Sequence, residues 1–63
     1  MDITELSLVT GQRYVVQGSL AEVEAAIIAA SRGSIMQLAW LTETNGERIG
    51  VNPSSVVSLR VAH

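Results

Sequence analysis

The chain has 63 residues, carries a net charge of −2 and contains no cysteine. It is therefore expected to form one small domain, residues 1–63, without disulfides or thiolate metal sites. Domains this small bury little apolar surface, and they often gain stability from disulfides, metals or association with other chains. Because 48% of the residues are hydrophobic, association is the expected supplement here.

Two classes of partner are disfavoured by composition. The four basic residues are arginines spread singly along the chain, which is unlike the basic stripe of a nucleic-acid-binding protein. No apolar run approaches the roughly 20 residues that cross a bilayer, so no membrane association is expected. The first residues lack the basic region and apolar core of a signal peptide, which predicts a cytoplasmic location.

The N-terminal half predicts a hairpin followed by a helix. Residues 3–9 and 13–17 are rich in Leu, Val and Tyr, which favours two strands joined by a turn at residues 10–12. Ser19 and Glu22 have the spacing of a capping box, in which each side chain accepts a hydrogen bond from the other residue's amide. The helix is expected to run from there to Ser31 or Arg32.

The middle of the chain predicts a hairpin that is apolar on both faces. Asn45-Gly46 favours a two-residue type I′ turn, since both central residues of that turn must accept a positive φ. Pairing about this turn places Trp40 opposite Val51 and Leu41 opposite Gly50. One face then carries Met36, Leu38, Trp40, Ile49 and Val51, and the other carries Ile35, Ala39 and Leu41.

A turn at residues 52–55 and a last strand at residues 56–62 complete the chain, with Val57, Leu59 and Val61 alternating against polar residues. The predicted fold is α+β with the order ββαβββ. It is a five-stranded, mainly antiparallel sheet with one helix packed on one face. One helix covers only one face of a sheet, so the second face needs a partner.

No group of residues has the spacing of a catalytic, metal or cofactor site. Glu22 and Glu24 are two apart on a helix and point in different directions, so they do not form an acid–base pair. Ser54 and Ser55 lack a positioned base, because the one histidine is the terminal His63. We therefore expect a protein that is not an enzyme and that holds no cofactor or metal.

Two groups of residues are candidate contact sites. Glycine inside a strand indicates a close approach, and a tryptophan in an alternating strand is most often core or interface. The predicted interface residues are Met36, Leu38, Trp40, Leu41 and Gly50. Arg13 and Arg60 occupy outward strand positions and are candidates for contacting an anion or an acidic partner, although solvated arginines that guard a strand edge are common.

The run from Gly50 to Arg60 resembles the closing strands of short uncharacterised actinobacterial α+β proteins. The shared pattern is a strand ending in Val51-Asn52-Pro53, a short turn and a Val-Val-Ser-Leu strand. The resemblance extends over residues 14–61 and implies no known activity. A more distant similarity is to Sm-like five-stranded barrels, which form rings and in which the helix precedes all five strands.

We therefore expect a non-enzymatic interaction or regulatory module that forms a homo-oligomer through the uncovered sheet face or an edge strand. A different protein is a further candidate partner. One alternative is a nucleic-acid-binding ring or dimer in which the arginines converge on assembly. The other is a ligand-binding protein or enzyme whose small-molecule pocket forms between subunits.

Overall fold

The computed structural model describes residues 2–33 and 37–62. It confirms the α+β class, with one helix and five strands in the described residues. The strands are β1 (Ile3–Leu8), β2 (Arg13–Gln17), β3 (Ala39–Thr42), β4 (Arg48–Val51) and β5 (Val56–Val61). The helix is α1 (Leu20–Ser31), and a 3₁₀ turn at Pro53–Ser55 connects β4 to β5.

The five strands form two antiparallel sheets, so the prediction of a single five-stranded sheet is wrong. One sheet has the order β2-β1-β5, and the other is the β3–β4 hairpin. They meet at one bridge, Val16 to Glu43, beside which the Thr44 amide donates to the Val15 carbonyl at 3.2 Å. As two sheets, the strands can lie on different sides of the core, and residues from both sheets and the helix form one cluster there.

The predicted register of the β3–β4 hairpin is wrong by one residue. Trp40 pairs with Gly50 and Leu41 pairs with Ile49. The cause is the loop: among the described residues only glycines have a positive φ, so Asn45 does not form a type I′ turn. The Glu43 amide instead donates to the Glu47 carbonyl at 2.7 Å, around a three-residue loop.

When the pairing shifts by one residue, every side chain of one strand moves to the opposite face relative to the partner strand. Instead of the two apolar faces predicted, the hairpin has one face turned to the core and one turned to solvent. The core face carries Ala39, Leu41, Ile49 and Val51, of which all but Ile49 are buried.

The helix begins as the sequence predicts. The Glu22 amide donates to the Ser19 hydroxyl at 3.2 Å, and the Ser19 amide donates to the Glu22 carboxylate at 2.9 Å. The helix runs to Ser31, with Arg32 as its C-cap, and it packs against both sheets. Buried residues from all three parts form the core, namely Leu6, Val16, Val23, Leu41 and Val51.

Strand β5 contributes less to the core than its alternation predicts. Leu59 is half-buried beside Leu6, but the side chains of Val57 and Val61 are 64% and 53% exposed. The pairing between β1 and β5 shifts between Ser58 and Val56, so Val57 is the extra residue of a β-bulge. Two apolar side chains are therefore left along the outer strand of the three-stranded sheet.

Candidate functional site

The solvent face of the β3–β4 hairpin carries a large exposed aromatic side chain. Trp40 is 57% exposed, whereas its neighbours Ala39 and Leu41 are 2% and 7% exposed. Leu38, just before β3, is also exposed, as are Arg48 and Gly50 on β4. We call these four residues, Leu38, Trp40, Arg48 and Gly50, the Trp40 surface.

Gly50 is the floor of this surface. A methyl group placed on its Cα would lie 2.9 Å from Cδ1 of Leu38 and 3.1 Å from Cη2 of Trp40. The Leu38 and Trp40 side chains therefore extend across the strand position where Gly50 has no side chain of its own. An aromatic residue that covers a cross-strand glycine in this way restores some of the packing that the glycine lacks.

Arg48 supplies the one charge on the Trp40 surface. Its guanidinium carbon lies 5.9 Å from the centroid of the Trp40 ring, which is within the range of a cation–π contact. At an exposed site such a contact contributes about 0.5–1 kcal/mol. Arg48 was absent from the predicted interface because the predicted register placed it opposite Glu43. The corrected register places it opposite Thr42, on the same face as Trp40.

The predicted interface residues that the structure describes lie in two environments. Leu38, Trp40 and Gly50 lie together on the solvent face. Leu41 packs in the core on the opposite face of the hairpin. Met36 lies outside the described residues, as does Ile35, which was assigned to the second face of the hairpin.

Arg13 and Arg60 share the outer face of the three-stranded sheet, but β1 lies between their strands. Arg13 pairs with Ser7, and Arg60 pairs with Glu5, which lies two residues earlier in β1. The Arg60 Nε donates to the Glu5 carboxylate at 2.6 Å. A shallow groove of about 420 Å³ runs beside this ion pair. Because Glu5 offsets the charge of Arg60, the groove wall is not a concentrated positive site.

A second cleft, of about 380 Å³, lies between β4 and the end of the first hairpin. Leu8, Tyr14 and Ile49 form its apolar part, and Gln12 and Ser55 contribute polar groups. The Tyr14 hydroxyl donates to the Gln12 amide oxygen over 3.4 Å, which is a long hydrogen bond. The described residues that line this cleft include no carboxylate and no arginine.

Two of the polar residues considered as catalytic candidates, Ser54 and Glu22, have structural partners. The Ser54 hydroxyl and amide both donate to the Asn52 side chain, at 2.8 and 3.0 Å, and hold the 3₁₀ turn. The Ser19 backbone amide, which donates to the Glu22 carboxylate, lowers the pKa of Glu22. This shift follows from the helix cap, because a hydrogen bond to the charged form stabilises that form.

Comparison of this chain with protein-family models, curated sequences and solved structures found no match. Within residues 2–33 and 37–62, no helix has both the length and the apolar character needed to cross a membrane. The Trp40 surface is therefore the candidate site on the strength of its own geometry.

Proposed function

We propose that this protein is a non-enzymatic interaction module that associates with a second copy of itself through the Trp40 surface. The observation that carries the proposal is the contrast between the two faces of the β3–β4 hairpin. The inner face is packed into the core, while the outer face holds Trp40 at 57% exposure. Large aromatic side chains are enriched at the centres of interfaces relative to the rest of the protein surface.

The packing around Trp40 supports this role. Leu38 and Trp40 lie across Gly50, and Arg48 approaches the same ring, so the ring is held on a prepared surface. A side chain that is already positioned loses little conformational freedom when it is buried by a partner. A tryptophan buries about 150–250 Å² when fully covered, which makes it the main expected source of binding energy.

The size of the molecule supports association as well. Its accessible surface is 4263 Å², and its core contains only a few large side chains. A standard interface covers about 800 Å² on each partner, which is roughly a fifth of this surface. Association would therefore add a large share of apolar burial to a domain whose own core is small.

A second copy is the partner that the sequence and composition favour. A two-fold interface uses the same patch on both copies, so a single apolar patch is enough to form it. The nucleic-acid alternative has weaker support, since Arg13 and Arg60 are separated by β1 and Arg60 is paired with Glu5.

The test is the solution mass by light scattering over a dilution series. We compare the unmodified protein with Trp40→Ser and with Ile28→Gln, a control on a helix residue that is 41% exposed. Trp40→Ser is expected to shift the association to at least tenfold higher concentration, and Ile28→Gln is expected to leave it unchanged. Identical mass curves for the unmodified protein and Trp40→Ser would refute the proposal.

A further inference from the structure

The three-stranded sheet has one covered edge and one open edge. At the β2 edge, the Val15 carbonyl accepts a hydrogen bond from the Thr44 amide at 3.2 Å. The Gln17 side-chain amide also donates to the Glu43 carbonyl there, at 3.1 Å. No described strand pairs with the other edge, which is β5. An open strand edge is a template for pairing with another chain.

The backbone of β5 alternates between groups that bind β1 and groups that point away from it. The Ala62 amide donates to the Ile3 carbonyl at 3.1 Å, and the pairs Glu5–Arg60 and Ser7–Ser58 follow at intervals of two residues. In an antiparallel pair the residues between these directly bonded positions turn their amide and carbonyl groups to the other side. Among the residues that the structure describes, none bonds to the backbone groups that Leu59 and Val61 turn toward the open edge.

The side chains on this edge do little to protect it. Natural edges are commonly guarded by lysine, proline or outward charges. Within β5 the one charged residue is Arg60, whose guanidinium is held by Glu5 on the sheet's own outer face. The bulge at Val57 adds twist at one end, but Ser58 to Val61 pair regularly with β1. Val57 and Val61 add exposed apolar surface at the two ends of this segment.

We propose that β5 strands of two copies pair antiparallel about a two-fold axis at Leu59. This inference rests on the proposed self-association but assigns it a second surface, separate from the Trp40 surface. The two-fold places Val61 opposite Val57 of the partner copy and Arg60 opposite Ser58 of the partner copy. A two-fold centred one residue later would place the two Arg60 side chains opposite each other, and directly opposed like charges disfavour that register.

Disulfide trapping tests this register directly, because the chain has no cysteine of its own. Val57→Cys and Val61→Cys are made as two separate proteins, one of them carrying a mass tag. In the proposed dimer the two cysteines face each other at a Cα separation of about 5.5 Å, which a disulfide spans. Two copies of the same cysteine lie four residues out of register, roughly 13 Å apart along the strand, and cannot be joined.

Mild oxidation of the mixture is expected to give mainly the mixed disulfide dimer, and either protein alone is expected to remain uncrosslinked. Absence of the mixed dimer would overturn the inference. Equal crosslinking of each protein with itself would overturn it as well, because that result reflects random collision.

Light scattering separates this inference from the proposed function. Val61→Lys places a charge on the β5 edge, and Val9→Lys is its control at a residue that is 67% exposed outside the strands. With both surfaces in use, Trp40→Ser and Val61→Lys each reduce the assembly to a dimer, and the double variant is a monomer. An effect of Trp40→Ser alone overturns the β5 pairing, and an effect of Val61→Lys alone overturns the role of the Trp40 surface.

Discussion

The two hairpins of this protein have the same loop but different surroundings. In the β1–β2 loop the Leu8 amide donates to the Gln12 carbonyl, and the Gly11 amide donates to the Leu8 carbonyl. Glu43, Gly46 and Glu47 repeat this arrangement in the β3–β4 loop. Both glycines lie in the left-handed region, with φ of 91° and 93°. Equivalent local chemistry therefore sets the register of both hairpins.

Their surroundings differ because of the strands beside them. Strand β1 is paired on both sides, and its inward residues Thr4 and Leu6 are fully buried. The described part of the β3–β4 hairpin has one β-bridge to the first sheet, and it leaves Trp40 exposed. A loop decides which residues share a face, whereas the neighbouring elements decide whether that face is covered.

The largest expected effect distinguishes the two faces of the second hairpin. Leu41→Ala removes a buried core side chain and is expected to lower the free energy of unfolding by about 3 kcal/mol, as measured by urea titration. Trp40→Ala in dilute solution is expected to cost about 1 kcal/mol or less, since the ring is mostly exposed. Leu41→Val is a milder core variant for use if Leu41→Ala does not fold. A larger cost for Trp40→Ala than for Leu41→Ala would contradict the observed register.

The next effect tests the equivalence of the two loops. Gly11→Ala and Gly46→Ala each force an alanine into the left-handed region, which costs about 1–2 kcal/mol. In either loop, no described atom beyond the neighbouring residues lies within 4 Å of the added methyl group, so backbone strain is the expected cause. Asparagine tolerates this conformation, and Gly11→Asn and Gly46→Asn are therefore expected to cost less. Costs that differ by more than twofold between the loops would show that they are not equivalent.

The helix cap lies between the two hairpins in the sequence, and its loss is expected to lower the free energy of unfolding of the whole domain. Ser19→Ala removes the hydroxyl that accepts from the Glu22 amide, and it is expected to cost about 1 kcal/mol. The lowered pKa of Glu22 means that its charged form stabilises the folded state above the unfolded pKa, and that this stability is lost as the pH falls through the folded pKa. Urea unfolding of the unmodified protein and Glu22→Gln should therefore converge as the pH drops below about 4.3. A constant difference at acidic pH would contradict this assignment.

The smallest effect concerns the floor of the Trp40 surface. Gly50→Ala places a methyl group 2.9 Å from Leu38 and 3.1 Å from the Trp40 ring, so the ring has to move. We expect a change of less than about 1 kcal/mol in stability, since the displaced groups are exposed side-chain ends. Trp40 is the chain's only indole, so the fluorescence maximum reports on its surroundings and should shift when the ring moves. Gly11→Ala is the control, since it adds the same methyl group in the other hairpin, where no described atom beyond the neighbouring residues lies within 4 Å of it, and an equal shift there would argue against this packing.

Several local features could be read from the sequence because they depend on neighbouring residues. The capping box at Ser19 and Glu22 and the bounds of β2 follow from side-chain chemistry and alternation within a few positions. The sequence also predicts the central hairpin, but the predicted register is wrong by one residue. Asn45-Gly46 is compatible with both a two-residue and a three-residue loop, and the choice between them decides which residues of β3 and β4 share a face.

The candidate site shows the same division. Trp40, Leu38 and Gly50 were identified from sequence because a tryptophan and a glycine in one apolar hairpin indicate a contact surface. Leu41 was included with them, yet it packs in the core. Arg48 was omitted, yet it lies by the ring. Both differences follow from the one-residue shift in register.

The sequence by itself determined the α+β class and the helix with its cap. These properties depend on composition and on interactions between residues that are close in the chain. Only the tertiary structure decided that the strands divide into two sheets, that Trp40 faces solvent and that β5 has an open edge. Those features depend on pairing between residues far apart in sequence, such as Val16 with Glu43 and Glu5 with Arg60. The free energy of such pairs cannot be inferred from neighbouring residues in the sequence.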